Sequence, residues 1–432
     1  MTLPLIYVGL TLILMLISIV CDWKIKIKNI NLSLYWIILL ISAVFCLIFG
    51  FCNFSDVFNL FINNSAINPL KILIIFISLT TLSVLLDEIG FFKYLAHLVL
   101  HKAKTSQTKL FICFYLIISL LTIVTSNDII ILTFTPFICY FAKQAEIDPT
   151  PYIVSEFVAA NTWSTFLIIG NPTNIYLATS FNINFVDYFL NMALPTLCAS
   201  SVSFLLLFLI FRKKLKQPIE IHEDTTKITM NKTYLTIGLI GLSSCIVLMA
   251  ISSYINIEMW YIPLFCSFAT FIACYISTLV DKRRKRNFLV RALKKAPYSL
   301  IPFLLSMSII ILVLNNCGFI NIFAGFIDGK NIILIGIISF VLANIINNIP
   351  MTMFFASVFQ NCALLSSSMI YSSIMASNIC AFFTPIGALA GIMFMKILKQ
   401  NKIKFSYGKF IAYGTIIAIP TLLTGLGLIY LL

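Results

Sequence analysis

The chain is a succession of apolar runs of bilayer-crossing length, separated by short basic segments, and that pattern admits few folds. In lipid every backbone N–H and C=O needs an internal partner, so only helices and closed barrels can span it. Runs such as 3–21, 33–51, 69–86, 185–211, 233–254, 259–280, 298–316 and 408–431 match a spanning helix of about 20 residues, twice the length of a barrel strand. With 10% charged and 60% hydrophobic residues, the composition excludes a soluble globule, which carries about a quarter charged residues. The fold class predicted is an all-α polytopic membrane protein, multi-pass in the cell membrane.

Sidedness follows from the basic residues. A net charge of +14 would suit nucleic acid, but the lysines and arginines cluster in short loops between spans, which is the positive-inside pattern. No nucleic-acid partner is expected. Lys24, Lys26 and Lys28 place the first loop in the cytoplasm and the N-terminus outside. Lys93, Lys102, Lys104 and Lys109 mark a second cytoplasmic stretch, Arg212, Lys213, Lys214 and Lys216 a third, and 281–295 a fourth, basic enough to meet acidic headgroups. Lys396, Lys399, Lys402 and Lys404 mark the last. Residues 52–68 and the stretch around Asp328 and Lys330 are read as external. Phe91, Phe92, Leu95, Leu98 and Val99 recur at helical spacing and predict a helix lying along the membrane surface.

The 12 cysteines lie mostly within spans, with no CxxC, and His97, His101 and His222 form no zinc pattern. No metal or other cofactor is expected. No HExxH, GxSxG or pair of intramembrane aspartates appears, so an enzyme is not expected either. The N-terminus lacks the basic start of a cleaved signal peptide.

Four regions are interrupted. The run 109–142 is too long for one span and too short for two, with Thr125-Ser126-Asn127-Asp128 at its middle. Residues 151–180 carry Asn161-Thr-Trp-Ser-Thr-Phe-Leu-Ile-Ile-Gly170-Asn171-Pro172-Thr173-Asn174. The second half repeats both, with Asn347-Asn348-Ile349-Pro350 inside 331–360, and Asn378 to Gly387 inside 376–391 at the spacing that separates Asn161 from Gly170. Asn, Thr, Pro and Gly interrupt a helix by competing for, removing or relaxing its backbone bonds. Ile89-Gly90-Phe91 likewise returns as Cys317-Gly318-Phe319, but the first copy is followed by lysines while the second has only Asp328 and Lys330 nearby. This predicts two inverted-topology repeats, each with a re-entrant hairpin and a broken helix: 1–215, a cytoplasmic linker 216–232, and 233–432. Paired breaks at membrane depth point to a transporter's binding site.

The candidate substrate-binding residues are Ser126, Asn127, Asn171, Thr173, Asn174, Asn347, Asn348, Asn378 and Thr384. Their amides and hydroxyls both donate and accept, and half-helix N-termini add unpaired N–H groups. The competing reading of each Asn is a cap or an interhelical bond. Asp128 and Glu156 are the candidate coupling-ion residues, because a carboxylate at membrane depth is expensive and marks an ion or proton path. A carboxylate beside the site disfavours a multiply charged anion and favours a neutral solute or cation coupling. Trp163 and Cys380 are read as packing residues, the latter in preference to a soft ligand.

Nearly the whole chain resembles the ion transporter superfamily, whose members include arsenical pump membrane proteins, citrate-transporter-like permeases and divalent anion/sodium symporters. Ser126-Asn127 and Ser377-Asn378 look like the start of the symporters' Ser-Asn-Thr signatures but continue with Asp128 and Ile379. Asn347-Asn348-x-Pro350 and Thr384-Pro385-Ile386-Gly387-Ala388-Leu389-Ala390 look more like the arsenical pump branch. The resemblance implies a secondary active transporter of a small oxyacid or anion working by alternating access, in the first instance proton-coupled arsenite or antimonite efflux. The alternatives are a sodium- or proton-coupled citrate or dicarboxylate permease and, third, a sodium/proton antiporter. A channel or a non-transporting scaffold is the reading from a different class. The implied partners are the solute, H+ or Na+, the lipid bilayer and, as an option the family allows, a second copy in a homodimer.

Overall fold

The structure, a computed structural model, describes residues 2–27, 30–63, 68–103, 106–217, 231–280 and 287–432. Most of the predicted linker 216–232 lies outside these, as do Lys28, Lys104, His222 and the first part of the basic segment 281–295. Helices dominate. The chain opens with α1 (Thr2–Val20), a small antiparallel hairpin of β1 (Lys24–Ile27) and β2 (Ile30–Ser33), then α2 (Leu34–Ile48) and a short α3 (Phe54–Ile62). The hairpin and α3 are departures from the expected loops. Both elements are short: the strands have four residues each, and α3, though six of its nine residues are apolar, is less than half the length of a span.

Two runs of seven helices then follow the same order. The first comprises α4 (Pro69–Ile89), α5 (Phe91–Ala103), α6 (Gln107–Val124), α7 (Asn127–Gln144), α8 (Thr150–Trp163), α9 (Pro172–Ser180) and α10 (Phe185–Phe211). Between the runs stand α11 (Lys232–Ile251), α12 (Tyr261–Val280) and a basic amphipathic α13 (Asn287–Lys295). The second comprises α14 (Leu300–Asn316), α15 (Phe319–Ile327), α16 (Ile332–Ile346), α17 (Asn348–Gln360), α18 (Ser367–Ile379), α19 (Leu389–Gln400) and α20 (Tyr407–Leu431). Lys396 and Lys399, expected in a loop, thus ride on the last turns of α19. Eight helices are long and apolar enough to cross a membrane among the described residues.

Local chemistry sets the boundaries. Asn68 caps α4, its Oδ1 accepting from Leu70 N at 2.9 Å, with Pro69 supplying the first turn. That helix ends at Gly90 in the left-handed region (φ 95°), and α14 ends likewise at Gly318 (φ 74°). Only glycine adopts this turn without strain, so the repeated Gly-Phe corner is a repeated backbone shape. The predicted surface helix is α5, and α15 occupies its place in the second run.

Packing is reciprocal between the two runs. Helix α7 lies on α19 and its counterpart α17 lies on α9, while α10 lies along its own counterpart α20. Helix α4 is the most enclosed span, 78% buried over its apolar window, whereas α11 and α12 are 28% buried and present most of their surface outward. Gly414 of α20 lets that helix touch the backbone at Phe382 and Phe383, where any Cβ would overlap carbonyl oxygens.

Ion pairs between distant segments agree with the sidedness read from charge. Lys396 meets Asp22 (3.4 Å), and Arg291 and Lys295 meet Glu88 (2.6 and 2.5 Å), each joining two segments assigned to the cytoplasm. Lys71, next to the segment read as external, meets Glu258 between α11 and α12. Lys214 holds Asp148 at 2.5 Å. Burial opposes charge at Asp148, but Lys214 and the Thr150 donors keep its carboxyl below the usual carboxylate range.

Candidate functional site

All four predicted interruptions are real breaks. Between α6 and α7 the backbone turns extended at Thr125 and Ser126, and between α16 and α17 it passes through Asn347 in a positive-φ conformation (φ 76°). Helices α8 and α18 both end in a 3-10 turn and irregular chain before α9 and α19 begin. The N-terminal ends of α9 and α17 are capped by Asn171, through Thr173 N at 3.1 Å, and by Asn347, through Ile349 N at 3.4 Å. A helix cap is the plainer reading of both residues, and it holds. Asn171 does more than cap.

The breaks meet at Asn378, near the end of α18 and fully buried. Its Oδ1 accepts from Ser164 Oγ (2.7 Å) and from Asn171 Nδ2 (2.8 Å), and its Nδ2 donates to Asn174 Oδ1 (2.7 Å). Beside it Ser377 Oγ meets Thr173 Oγ1 at 3.0 Å. All of these contacts run from the second half of the chain to the first. Asn174 Nδ2 turns back to the Ser164 carbonyl (2.7 Å), closing the break between α8 and α9 on itself.

The two halves build this centre from the same parts. Asn161 and Asn378 each donate from Nδ2 to the carbonyl four residues back, Phe157 and Ile374, at 2.8 Å in both cases. The first residue of α7, Asn127, reaches Asn161 Oδ1 (2.9 Å), and the first residue of α17, Asn348, reaches the Ser377 carbonyl (3.1 Å). Asn347 and Thr384 lie one step away. They bind the Ile386 carbonyl (2.9 Å) and Asn344 Oδ1 (2.6 Å), and so hold the break before α19 rather than joining the Asn378 cluster. Ser126 is buried and its Oγ has no hydrogen-bond partner among the described residues.

The two acids are placed differently. Asp128 stands in the first turn of α7, where the helix dipole favours a carboxylate. Its amide N–H donates to Asn127 Oδ1 (2.9 Å), and its half-buried carboxylate makes no hydrogen bond or ion pair among the described residues. Glu156 is fully buried in the middle of α8 and accepts from Thr135 Oγ1 of α7 at 3.0 and 2.9 Å. It does not touch the Asn378 cluster. Cys380 is buried, its Sγ directed at the carbonyls of Ser377 and Gly387, and Trp163 packs on Phe166 with ring centres 5.7 Å apart. Both are packed as expected.

Three participants stand outside the set of predicted site residues: Asn161, Ser164 and Ser377. All lie in the quoted motifs. What marks them is helical spacing, since Ser164 follows Asn161 by one turn and Ser377 precedes Asn378. Asp87 and Glu88 carry no motif at all. Thr133 of α7 donates to Asp87 (3.1 Å), which with Glu88 faces Lys295 of α13, so α7 is tied to α4 and α13 two turns after its start.

Glycine makes the breaks possible. A Cβ on Gly170 would overlap the Ser164 carbonyl that Asn174 binds, and one on Gly387 would come within 2.5 Å of the Cys380 carbonyl. Neither neighbour is a movable side-chain tip. Gly170→Ala should therefore destabilise the protein by about 1–3 kcal/mol, as overpacking does, and reduce the folded yield in size-exclusion chromatography of the solubilised protein. An unchanged yield and melting temperature would show that the break is free to shift.

A family model described as arsenical pump membrane protein matches residues 9–432. The chain is 25% identical over 372 residues to an arsenical pump membrane protein of Escherichia coli strain K12, covering 80% of this chain and 83% of that one. It is 26% identical over 373 residues to a putative arsenical pump membrane protein of Bacillus subtilis strain 168, covering 78% and 82%. Among solved structures, the Alcanivorax borkumensis YdaH transporter aligns with a TM-score of 0.58 at 14% identity, over 99% of this chain and 97% of that one. Neisseria gonorrhoeae MtrF, described with a class of antimetabolite efflux pumps, aligns with a TM-score of 0.51 at 14% identity, over 100% and 94%. These two likenesses speak to the fold.

Proposed function

Because the chain belongs to the arsenical pump membrane protein family and is a multi-pass membrane transporter, we propose that it exports arsenite or antimonite as the neutral oxyacid, by alternating access and coupled to protons. The observation that carries this is the chemistry of the Asn378 centre. Its hydrogen-bonding side chains, Ser164, Asn171, Thr173, Asn174, Ser377 and Asn378, are amides and hydroxyls without a single charge. A trihydroxylated neutral solute offers donors and acceptors that can replace these mutual bonds one for one. A di- or trivalent carboxylate would need compensating cations, and these side chains supply none.

Asp128 is the proton carrier in this reading. A half-buried carboxylate without a donor is costly in its charged form, and it sits one residue from Asn127, which connects through Asn161 to the centre. Glu156, with Thr135 as its partner, serves as the second, slower-exchanging acid between α7 and α8. The reciprocal packing of α7 on α19 and of α17 on α9 supports two inverted repeats, 1–215 and 233–432, that move against each other about the centre.

The test is flux into and out of proteoliposomes holding the purified protein, with arsenite, citrate and succinate offered separately under an imposed proton or sodium gradient. Proton-driven arsenite movement, with no movement of either carboxylate, is the expected result. Sodium-dependent carboxylate uptake without arsenite flux would refute the proposal.

A further inference from the structure

A second site is built at the cytoplasmic end, and none of its lining residues belongs to the Asn378 centre. A cavity of about 730 Å3 opens between the end of α1, the end of α19 and the start of α20, and five lysines line it: Lys396, Lys399, Lys402, Lys404 and Lys409. One carboxylate faces them, that of Asp22. It is already engaged by Lys24 at 2.5 Å and Lys396 at 3.4 Å. Burial works against the charged form of Asp22, yet these two ammonium groups keep its carboxyl below the usual carboxylate range. Four ammonium groups are left around the cavity with no carboxylate against them in the described ion pairs. These four lysines are exposed, and gathering like charges around one concavity raises the local concentration of anions there.

The positive-inside pattern accounts for basic residues at this end but not for their convergence, nor for one backbone detail. Helix α19 ends in a Schellman turn, Ile403 N donating to the Leu398 carbonyl (2.9 Å) and Lys402 N to that of Lys399 (3.1 Å). The residue at the left-handed position of that turn is usually glycine. Here it is Lys402, at φ 61°. A long side chain is held at this strained point, on the rim of the cavity. The lining also has an apolar part, Val20, Ile392, Met395 and Phe405, with Ile392 and Met395 one turn before Lys396 and Lys399 on α19. Charged rim and apolar wall meet where three helices reach the membrane boundary.

We propose that this cavity binds a phosphate ester group, and that its position at the bilayer edge makes an acidic phospholipid headgroup the source, its acyl chain along the apolar wall. Occupancy ties α1 of the N-terminal part to the junction of α19 and α20, so the lipid braces the moving end of the second repeat.

Thermal unfolding of the full-length protein in detergent tests this, with phosphatidylglycerol, phosphatidylcholine or inorganic phosphate added at matched ionic strength. Phosphatidylglycerol should raise the melting temperature by several degrees and phosphatidylcholine should not. The triple variant Lys399→Gln, Lys402→Gln, Lys404→Gln should lose most of that rise. Neutralising as many charges elsewhere, with Arg212→Gln, Lys213→Gln and Lys216→Gln, should leave it intact. Lys402→Gly, which relieves the strained backbone, should melt at or above the wild-type temperature without lipid and still respond less to phosphatidylglycerol, so a folding defect in the triple variant leaves the question answerable. A rise with inorganic phosphate equal to that with the lipid supports the site and makes its source a soluble phosphate. No rise with either, or a rise undiminished by the triple variant and by Lys402→Gly, overturns the proposal.

Discussion

Replacing Asn378 by leucine should abolish transport while leaving a protein that still inserts and purifies. The substitution keeps the volume and removes all three contacts to the first half at once, along with the bond to its own helix at Ile374, leaving Ser164 Oγ, Asn171 Nδ2 and Asn174 Oδ1 without the partner they share. In water-soluble proteins each orphaned buried group costs about 1–3 kcal/mol. Hydrogen bonds between membrane helices are worth less, about 0.6 kcal/mol on average, because the unfolded helices find partners in the membrane too. The smaller figure gives roughly 2 kcal/mol for three contacts, a loss that the wider packing around α18 can absorb. Flux has no such reserve, because among the described residues the Asn378 amide is the group from the second half that bonds to both sides of the α8–α9 break. Arsenite flux in proteoliposomes should fall at least a hundredfold against a modest drop in melting temperature. Flux within a few-fold of wild type would remove Asn378 from the binding site and leave it a structural crosslink.

Asp128→Asn should separate transport from its driving force. The variant keeps the shape of the side chain and its place in the first turn of α7, and no ion pair or hydrogen bond of the carboxylate is lost among the described residues. Stability should therefore change little. A carboxylate with no hydrogen-bonded partner adds little to stability, and at membrane depth it marks a proton path. Proton-driven arsenite flux should drop to the level of empty liposomes, while exchange of arsenite between equal concentrations on both sides continues. Full gradient-driven flux in the variant would exclude Asp128 from coupling and turn attention to Glu156.

Much of this site is legible in the sequence because a break in a membrane helix needs special residues. Asn, Thr, Pro and Gly clustered inside an apolar run weaken a spanning helix, so their presence marks a place where the helix stops, and all four breaks fall at such clusters. Asn127, Asn171, Thr173, Asn174, Asn348 and Asn378 all converge, directly or through one neighbour. Convergence itself is not legible. Asn347 and Thr384 look equivalent to Asn171 in the sequence, yet the chain path turns them toward Ile386 and Asn344. Ser164 and Ser377 look like ordinary helix-facing hydroxyls until α18 is brought against the α8–α9 break. The same limit hides the Asp87–Glu88 cluster, whose basic partners stand about two hundred residues later on α13. Spacing announces an element or its interruption. Which polar side chains share a cavity depends on how two distant interruptions cross.

The uncharged centre also has a consequence for how such a carrier changes over generations. The codons of asparagine and aspartate differ only in their first base, so Asn171, Asn174 and Asn378 each lie a single nucleotide from a fixed negative charge. Asn378→Asp would keep an oxygen for Ser164 and Asn171 and lose the Nδ2 donor to Asn174 and to the Ile374 carbonyl one turn back. The helices, the breaks and the glycine contacts would be untouched. If the cargo is the neutral oxyacid proposed above, a lineage carrying this fold can add a charge that favours a cation in one mutational step, and remove it by another.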